Sequence, residues 1–415
     1  MKSSFNLRKP ELAQLLAAGT VVAMIGGLFF SRAILSVGIF IFFLLAPLRL
    51  GWRQWLHQAS RDPLVWIFSL AWLLPVLSGF WSDDTSSWMD VVRIKLPLML
   101  LPLGWVGLSI SDRWRQRIGW MLVSFVFVGM LYSWIPWWMQ AGAIQQDYLR
   151  GKTLLTPLDN DRVRFSWLIV AVLFWLQLQW AVATARLRWL IGVISIFFVL
   201  YLHALAVRIG LLCFYMLALF WILRWISSPS LRKWAIPALL LFLFIPLLMY
   251  WTVPTFRARI DYIRYDWSYT FQGKYLPGGN DAIRVQSLQV AGEVIRDHPA
   301  YGVGFGDIRS AMDSVYQRVN PNLSETERIY PANEWAVYGV GMGWIGLIAF
   351  SVGVIVLFFI RTADPFRWRS WVLATVLSLV TDIGLEVQYG VFLIPFLLLF
   401  LRDASVSWKN QEIRS

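Results

Sequence analysis

Residues 188–227 read RWLIGVISIFFVLYLHALAVRIGLLCFYMLALFWILRWIS. Two apolar runs, 188–206 and 209–226, meet there, and Arg208 is the only charge between Trp189 and Leu223. Crossing about 30 Å of hydrocarbon takes roughly 20 apolar residues in a helix, so each run has the length of one membrane span. Working outward, comparable runs lie near 12–30, 33–48, 63–80, 91–110, 118–139, 165–184, 235–253, 334–360, 370–383 and 385–401. Together they predict an all-α integral membrane protein of about twelve transmembrane helices. Pro75, Pro97, Pro102 and Pro136 predict kinks or breaks in the early spans, where neighbouring groups must take up the freed carbonyls.

The composition carries the same message. Of 415 residues, 58% are hydrophobic and 15% charged, and the mean hydropathy is +0.59. A soluble domain is closer to about one-quarter charged. The 26 tryptophans and 28 phenylalanines suit the membrane–water interface. This excludes a soluble enzyme, a disordered tail, a disulfide scaffold and a nucleic-acid binder. The formal charge of +13 is then a topology signal. The single Cys213 lies in an apolar run and reads as a small core filler, while His57, His203 and His298 are too scattered for a zinc motif.

Lysine and arginine gather in the short loops that face the cytoplasm. One set contains Arg49, Arg53, Arg61, Arg113, Arg115, Arg117, Arg186, Arg188, Arg224, Arg232, Lys233, Arg361, Arg367 and Arg369. With these inside, both termini are cytoplasmic, and Arg402, Lys409 and Arg414 fall in the tail. The first run follows Lys2, Arg8 and Lys9 without an A-x-A site, which reads as a retained helix. The outer side receives Asp83-Asp84 and the connections 140–164 and 254–333. The predicted organisation is therefore spans one to nine over 1–253, a large outer loop over 254–333, and the last three spans with the tail over 334–415.

Within the outer loop, charges of the two signs roughly balance. Asn280-Asp281 reads as a helix start, with Ile283, Leu288, Ala291 and Ile295 as an apolar stripe that ends at Pro299. The turn Gly302-Val303-Gly304-Phe305-Gly306 follows, then a second helix from Asp307 to Arg318. That glycine run follows no strand and is no nucleotide cradle, and no Walker A loop or Asp-x-Asp pattern occurs.

Ionisable groups in or beside hydrocarbon are expensive and mark functional candidates. Arg208, Arg164, Arg93, Lys95, Asp382 and Glu386 qualify, with His203 near Arg208 and Arg284 early on the loop helix. Asp382 and Glu386 read first as partners that hold an arginine, and His203 as a satisfied core imidazole. Arginines gathered on one face suit an anionic, lipid-borne ligand, because guanidinium pairs bidentately with phosphate oxygens and stays charged. Two other classes compete. A transporter predicts paired helix breaks with charges at mid-membrane, and an envelope scaffold predicts no chemistry at all.

The stretch from Arg284 through Ile295-Arg-Asp-His298-Pro299-Ala-Tyr-Gly302-Val-Gly304-Phe-Gly306 resembles the outer loop of the O-antigen ligase and polymerase superfamily. Pro331-Ala332-Asn333-Glu334-Trp335 and the glycines that follow, Val207-Arg208-Ile209-Gly210, and Arg162-Val163-Arg164-Phe165-Ser166 extend the resemblance over most of the chain. It implies a GT-C-like glycosyltransferase of the bacterial inner membrane, working in lipopolysaccharide biosynthesis. The implied donor is a glycan on undecaprenyl pyrophosphate, and the ligase acceptor is a sugar hydroxyl of lipid A core at the periplasmic face. A polymerase or a protein O-oligosaccharyltransferase uses the same scaffold with another acceptor.

The implied reaction is inverting and metal-independent, with no cofactor. Carried over by position, Arg208 and Arg284, with Arg164 behind them, hold the pyrophosphate, while Asn333, Glu386 and His203 support the site. The family's base is a histidine where this chain has Ala332. A methyl group accepts no proton. Either the base lies elsewhere, with Glu334 next, or this chain is a form inactivated by a His→Ala substitution.

Overall fold

The computed structural model describes residues 10–108, 110–139, 154–229, 231–271, 280–321 and 323–412. Lys2, Arg8, Lys9, Arg414 and most of the 140–164 connection lie outside them. All regular structure among the described residues is helical, with no strand. Each apolar run lies on helix. Eight helices are long and apolar enough to cross a membrane, or nine if Trp52–Ala59 and Pro63–Ser78, bent by 87°, make one span.

That is fewer than about twelve, for local reasons. The run 91–110 is divided at Pro97 into Thr85–Lys95 and Pro97–Gly107, each of 11 residues. Proline supplies no N–H and is well placed at a helix start, so the chain breaks there. The run 370–383 yields the 17-residue helix Pro365–Thr381.

The chain forms two compact units. The first comprises 1–122, 284–368 and 379–415. In it, helix Arg32–Leu50 lies against Pro10–Phe30 and Pro97–Gly107, and Glu334–Phe359 lies against Pro63–Ser78. Helix Gln388–Glu412 contributes a fully buried face in which Phe392, Phe396 and Phe400 stack in succession, with ring centroids 5.1 and 5.6 Å apart. Pro75 shows how a kink is paid for: it leaves the Ala71 carbonyl without its helical donor, and the Tyr338 hydroxyl donates to that oxygen at 2.6 Å.

Helix Glu334–Phe359 is broken at Gly343 (φ 60°, ψ −150°), a conformation essentially restricted to glycine. The freed carbonyls of Val340 and Gly341 accept from Val303 and Gly304 N–H, both at 3.0 Å, and Trp344 N–H donates to Pro299 O at 2.8 Å. The glycine-rich turn thus completes the backbone of a broken span. Non-helical backbone at such a depth persists only when protein buries it.

The second unit comprises 123–283 and 369–378. Helix Arg162–Val182 is its most buried span, and Arg208–Ser227 lies against it and against Arg232–Thr252. The last of these exposes Ile236, Leu240, Leu241, Leu243, Phe244 and Leu247. Such a long apolar face is untenable in water and natural against lipid.

The loop helix runs Asn280–Asp297, and a second helix runs Ile308–Val319. The first lies two residues short of Pro299, as its sequence predicts. Its buried line differs from the expected stripe: Ser287, Val290, Ala291 and Val294 are buried, whereas Leu288 is exposed. Ser287 takes an inner position because its hydroxyl donates to Tyr330 O at 3.0 Å.

Candidate functional site

In the second unit, helix Ala185–Leu205 ends at Ala206, whose left-handed conformation (φ 50°) turns the chain, and helix Arg208–Ser227 begins two residues later. Arg208 is the first residue of that helix, so its side chain leaves the span at its end. Gly210 lets the turn approach the Arg162–Ser166 segment, since a Cβ there would stand 2.6 Å from the Ser166 Cβ. Thr255 Oγ1 donates to Ala204 O at 2.8 Å and ties helix Pro254–Phe271 to the same turn.

Arg208 Nη1 donates to Asp281 Oδ1, and Asp281 N–H donates to Asp266 Oδ2 at 2.9 Å. The other Arg208 donors, Nε and Nη2, are buried with no hydrogen-bond partner. Arg259 shares this neighbourhood and sequence reasoning missed it. It is 9% exposed, its Nε and Nη1 have no hydrogen-bond partner, and its guanidinium stands 5.4 Å from the Tyr262 ring centroid. Burial first, then the charges of Arg208 and Arg162, pull its pKa down to about 10. It remains a cation at neutral pH, held where cations are disfavoured. It lies three residues after the buried Phe256, on the inner face of its helix.

Arg164 pairs with Asp161 at 3.5 Å, within the first turn of its helix. His203 is fully buried, with Nδ1 2.7 Å from Val199 O and Nε2 2.6 Å from the Tyr215 hydroxyl. A carbonyl only accepts, so Nδ1 carries the hydrogen and Nε2 accepts from the phenol. Both ring nitrogens are thereby engaged, the arrangement of a structural imidazole. A cavity of about 460 Å³ opens among the spans of this unit, walled by Phe174, Phe214, Leu217, Trp221, Trp225 and Leu241.

The first unit holds a separate cluster. Lys95 is fully buried and donates to Glu386 Oε1, with its Nζ 4.9 Å from the Tyr338 ring centroid and 5.5 Å from that of Phe305. Glu386 therefore holds a lysine, not the arginine expected for it. Arg93, by contrast, is exposed and 4.0 Å from Asp90. Phe305 is placed by the glycine-rich turn: its N–H donates to Ser78 Oγ at 3.0 Å, and Gly306 N–H donates to Ser82 Oγ at 3.2 Å.

Arg284 donates to Thr381 O and, at 3.1 Å, to Asp382 Oδ1. It thereby caps the C-terminus of helix Pro365–Thr381, where a cation is favoured. Asp382 is the arginine partner that its sequence position suggested. Asn333 caps helix Glu334–Phe359, its Oδ1 accepting from Ala336 N–H at 2.8 Å. Glu334 is fully buried and its Oε1 accepts from Leu385 N–H in the turn Gly384–Glu386. Ala332 is buried beside these groups in sequence. Burial first, then the carboxylates of Glu386 and Glu334, raise the pKa of the Tyr330 phenol well above the ordinary tyrosine range.

The fold is that of an all-α, multi-span membrane protein, and in its second unit Arg208 and Arg259 each keep two buried guanidinium nitrogens without a hydrogen-bond partner. Residues 190–351 match the family described as O-Antigen ligase (Wzy_C). The matched stretch contains Arg208, Arg259, Arg284, Ala332 and Glu334, whereas Lys95, Arg164 and Glu386 lie outside it. No curated protein matches the chain.

Proposed function

We propose that this protein is an O-antigen ligase. It transfers a glycan from undecaprenyl pyrophosphate to a sugar hydroxyl of lipid A core, at the periplasmic face of the bacterial inner membrane. The acceptor oxygen attacks the anomeric carbon, the bond from that carbon to the phosphate oxygen breaks with inversion, and undecaprenyl pyrophosphate departs with the electron pair. The acceptor proton passes to a base. Fixed guanidinium groups stabilise the charge that develops on the leaving group, and Arg208 is the first of these, with Arg164 in the same role.

One observation carries the reading: inside the segment that matches the ligase family, Arg208 ends a membrane span with two buried donors unclaimed by protein. The match to that family supports a lipid-linked glycan as the substrate class, and the apolar cavity of the same unit has walls suited to an isoprenoid chain.

Ala332 stands where the family's histidine base belongs. Transfer is measured with this chain and its Ala332→His variant, each given undecaprenyl-pyrophosphate glycan and rough lipid A core. Activity confined to the variant marks the present chain as an inactivated form and supports the reading. Equal activity supports the reading and moves the base to Glu334. Transfer only to a second lipid-linked glycan or to a protein hydroxyl replaces ligase with polymerase or oligosaccharyltransferase. No transfer by either chain to any of the three acceptors overturns the proposal.

A further inference from the structure

Arg259 is the group in this molecule whose chemistry is least accounted for. A guanidinium has five N–H donors, and burying it without partners is among the costliest arrangements a side chain adopts. Here two donor nitrogens, Nε and Nη1, are buried and unclaimed, and among the described residues no carboxylate forms an ion pair with it. Nearby Asp281 already binds Arg208, and Asp266 receives the Asp281 N–H. Arg208 presents two further buried donors without partners. Folding alone would favour an aliphatic residue at position 259. The face of Tyr262, 5.4 Å away, returns only part of the lost solvation.

We propose that Arg259 is a further anion-binding residue beside Arg208, and that these two guanidinium groups contact the pyrophosphate of the lipid-linked donor together. Two cations with four open donor nitrogens match a diphosphate better than a single phosphate, because a diphosphate has two sets of oxygens to distribute. The assignment rests on the glycosyl-transfer reading above. Phosphate oxygens also occur on bilayer headgroups, so the test separates the two sources.

The full-length protein in nonionic detergent is titrated with farnesyl pyrophosphate, farnesyl monophosphate and phosphatidylglycerol, and the ligand-dependent rise in Tm is read for wild type, Arg259→Gln, Arg259→Lys and Arg208→Gln. Ligands that bind only the folded state raise Tm in proportion to affinity and concentration. Losing a charge-assisted contact is expected to weaken farnesyl pyrophosphate by about tenfold or more in Arg259→Gln. Arg259→Lys, which keeps the charge without the fork, recovers part of that loss. The monophosphate loses less.

If Arg259→Gln binds farnesyl pyrophosphate as wild type does while Arg208→Gln does not, Arg259 is structural and the inference falls, with the ligase reading intact. A loss seen with phosphatidylglycerol and not with farnesyl pyrophosphate reassigns Arg259 to a headgroup and overturns it as well. If farnesyl pyrophosphate fails to stabilise even the wild type, the pyrophosphate reading itself falls. Should Arg259→Gln not fold, Arg259→Lys against wild type decides: a pyrophosphate affinity unchanged by loss of the fork overturns the assignment.

Discussion

The buried pair Lys95–Glu386 illustrates what hydrocarbon demands of single residues. Neither group sees solvent to any extent, with side-chain exposures of 0% and 8%, and each makes the other tolerable. Removing one partner strands a charge, whereas removing both leaves an apolar contact. Lys95→Met is therefore expected to lower stability by about 3–5 kcal/mol, and the double variant Lys95→Met/Glu386→Leu to recover most of it. Melting in detergent checks both, and a double variant as weak as the single one would mean that the charges serve more than each other. This pairing was beyond the reach of the sequence, since 291 residues separate the partners. Arg208 was legible because it interrupts an apolar run. Arg259 was not, because in a charged loop one arginine looks like any other until the fold buries it.

At the level of elements, the glycine-rich turn and the broken helix are one device. Sequence reading recognised a turn at 302–306, yet the reason for its glycines lies in another element. At Gly343 a Cβ would stand 2.4 Å from Pro299 O, and at Gly304 (φ 91°) one would stand 2.2 Å from Ser82 Oγ. Any side chain at either position pushes the turn away from the break, and Val340 and Gly341 lose the donors that satisfy their carbonyls. Gly343→Ala combines a forbidden backbone conformation with a clash, so a loss of about 2–4 kcal/mol is expected. Gly19→Ala supplies the contrast: nothing lies within 4 Å of its added methyl in a regular helix, and stability should be unchanged or raised by up to about 1 kcal/mol. Equal Tm shifts for the two variants would remove the strain argument. Elements were readable where periodicity or proline marked them. The inner line of helix Asn280–Asp297 was not, because the hydrogen bond of Ser287 to Tyr330, not hydrophobicity, selects it.

For the whole molecule, the proposed reaction demands that the loop 254–333 and the end of the span bearing Arg208 lie on the side where the lipid-linked donor is presented. Positive charge in the short connections argues that this side is the periplasm, and the argument stands on loop charge alone, since helix geometry is the same either way up. Cysteine accessibility tests it cleanly here, because the chain's one cysteine, Cys213, is fully buried and contributes little background. Ser324, exposed in the long loop, and Ser60, exposed in the Arg49–Arg61 connection, are each replaced by cysteine in intact cells. A membrane-impermeant maleimide is expected to label Ser324→Cys directly and Ser60→Cys only after the inner membrane is opened. The reverse pattern would place the guanidinium groups on the cytoplasmic side, away from any acceptor in the periplasm, and ligation to lipid A core there would have to be abandoned. Labelling of both before permeabilisation would put the Arg49–Arg61 connection outside, and the count of spans, not the chemistry, would then need revision.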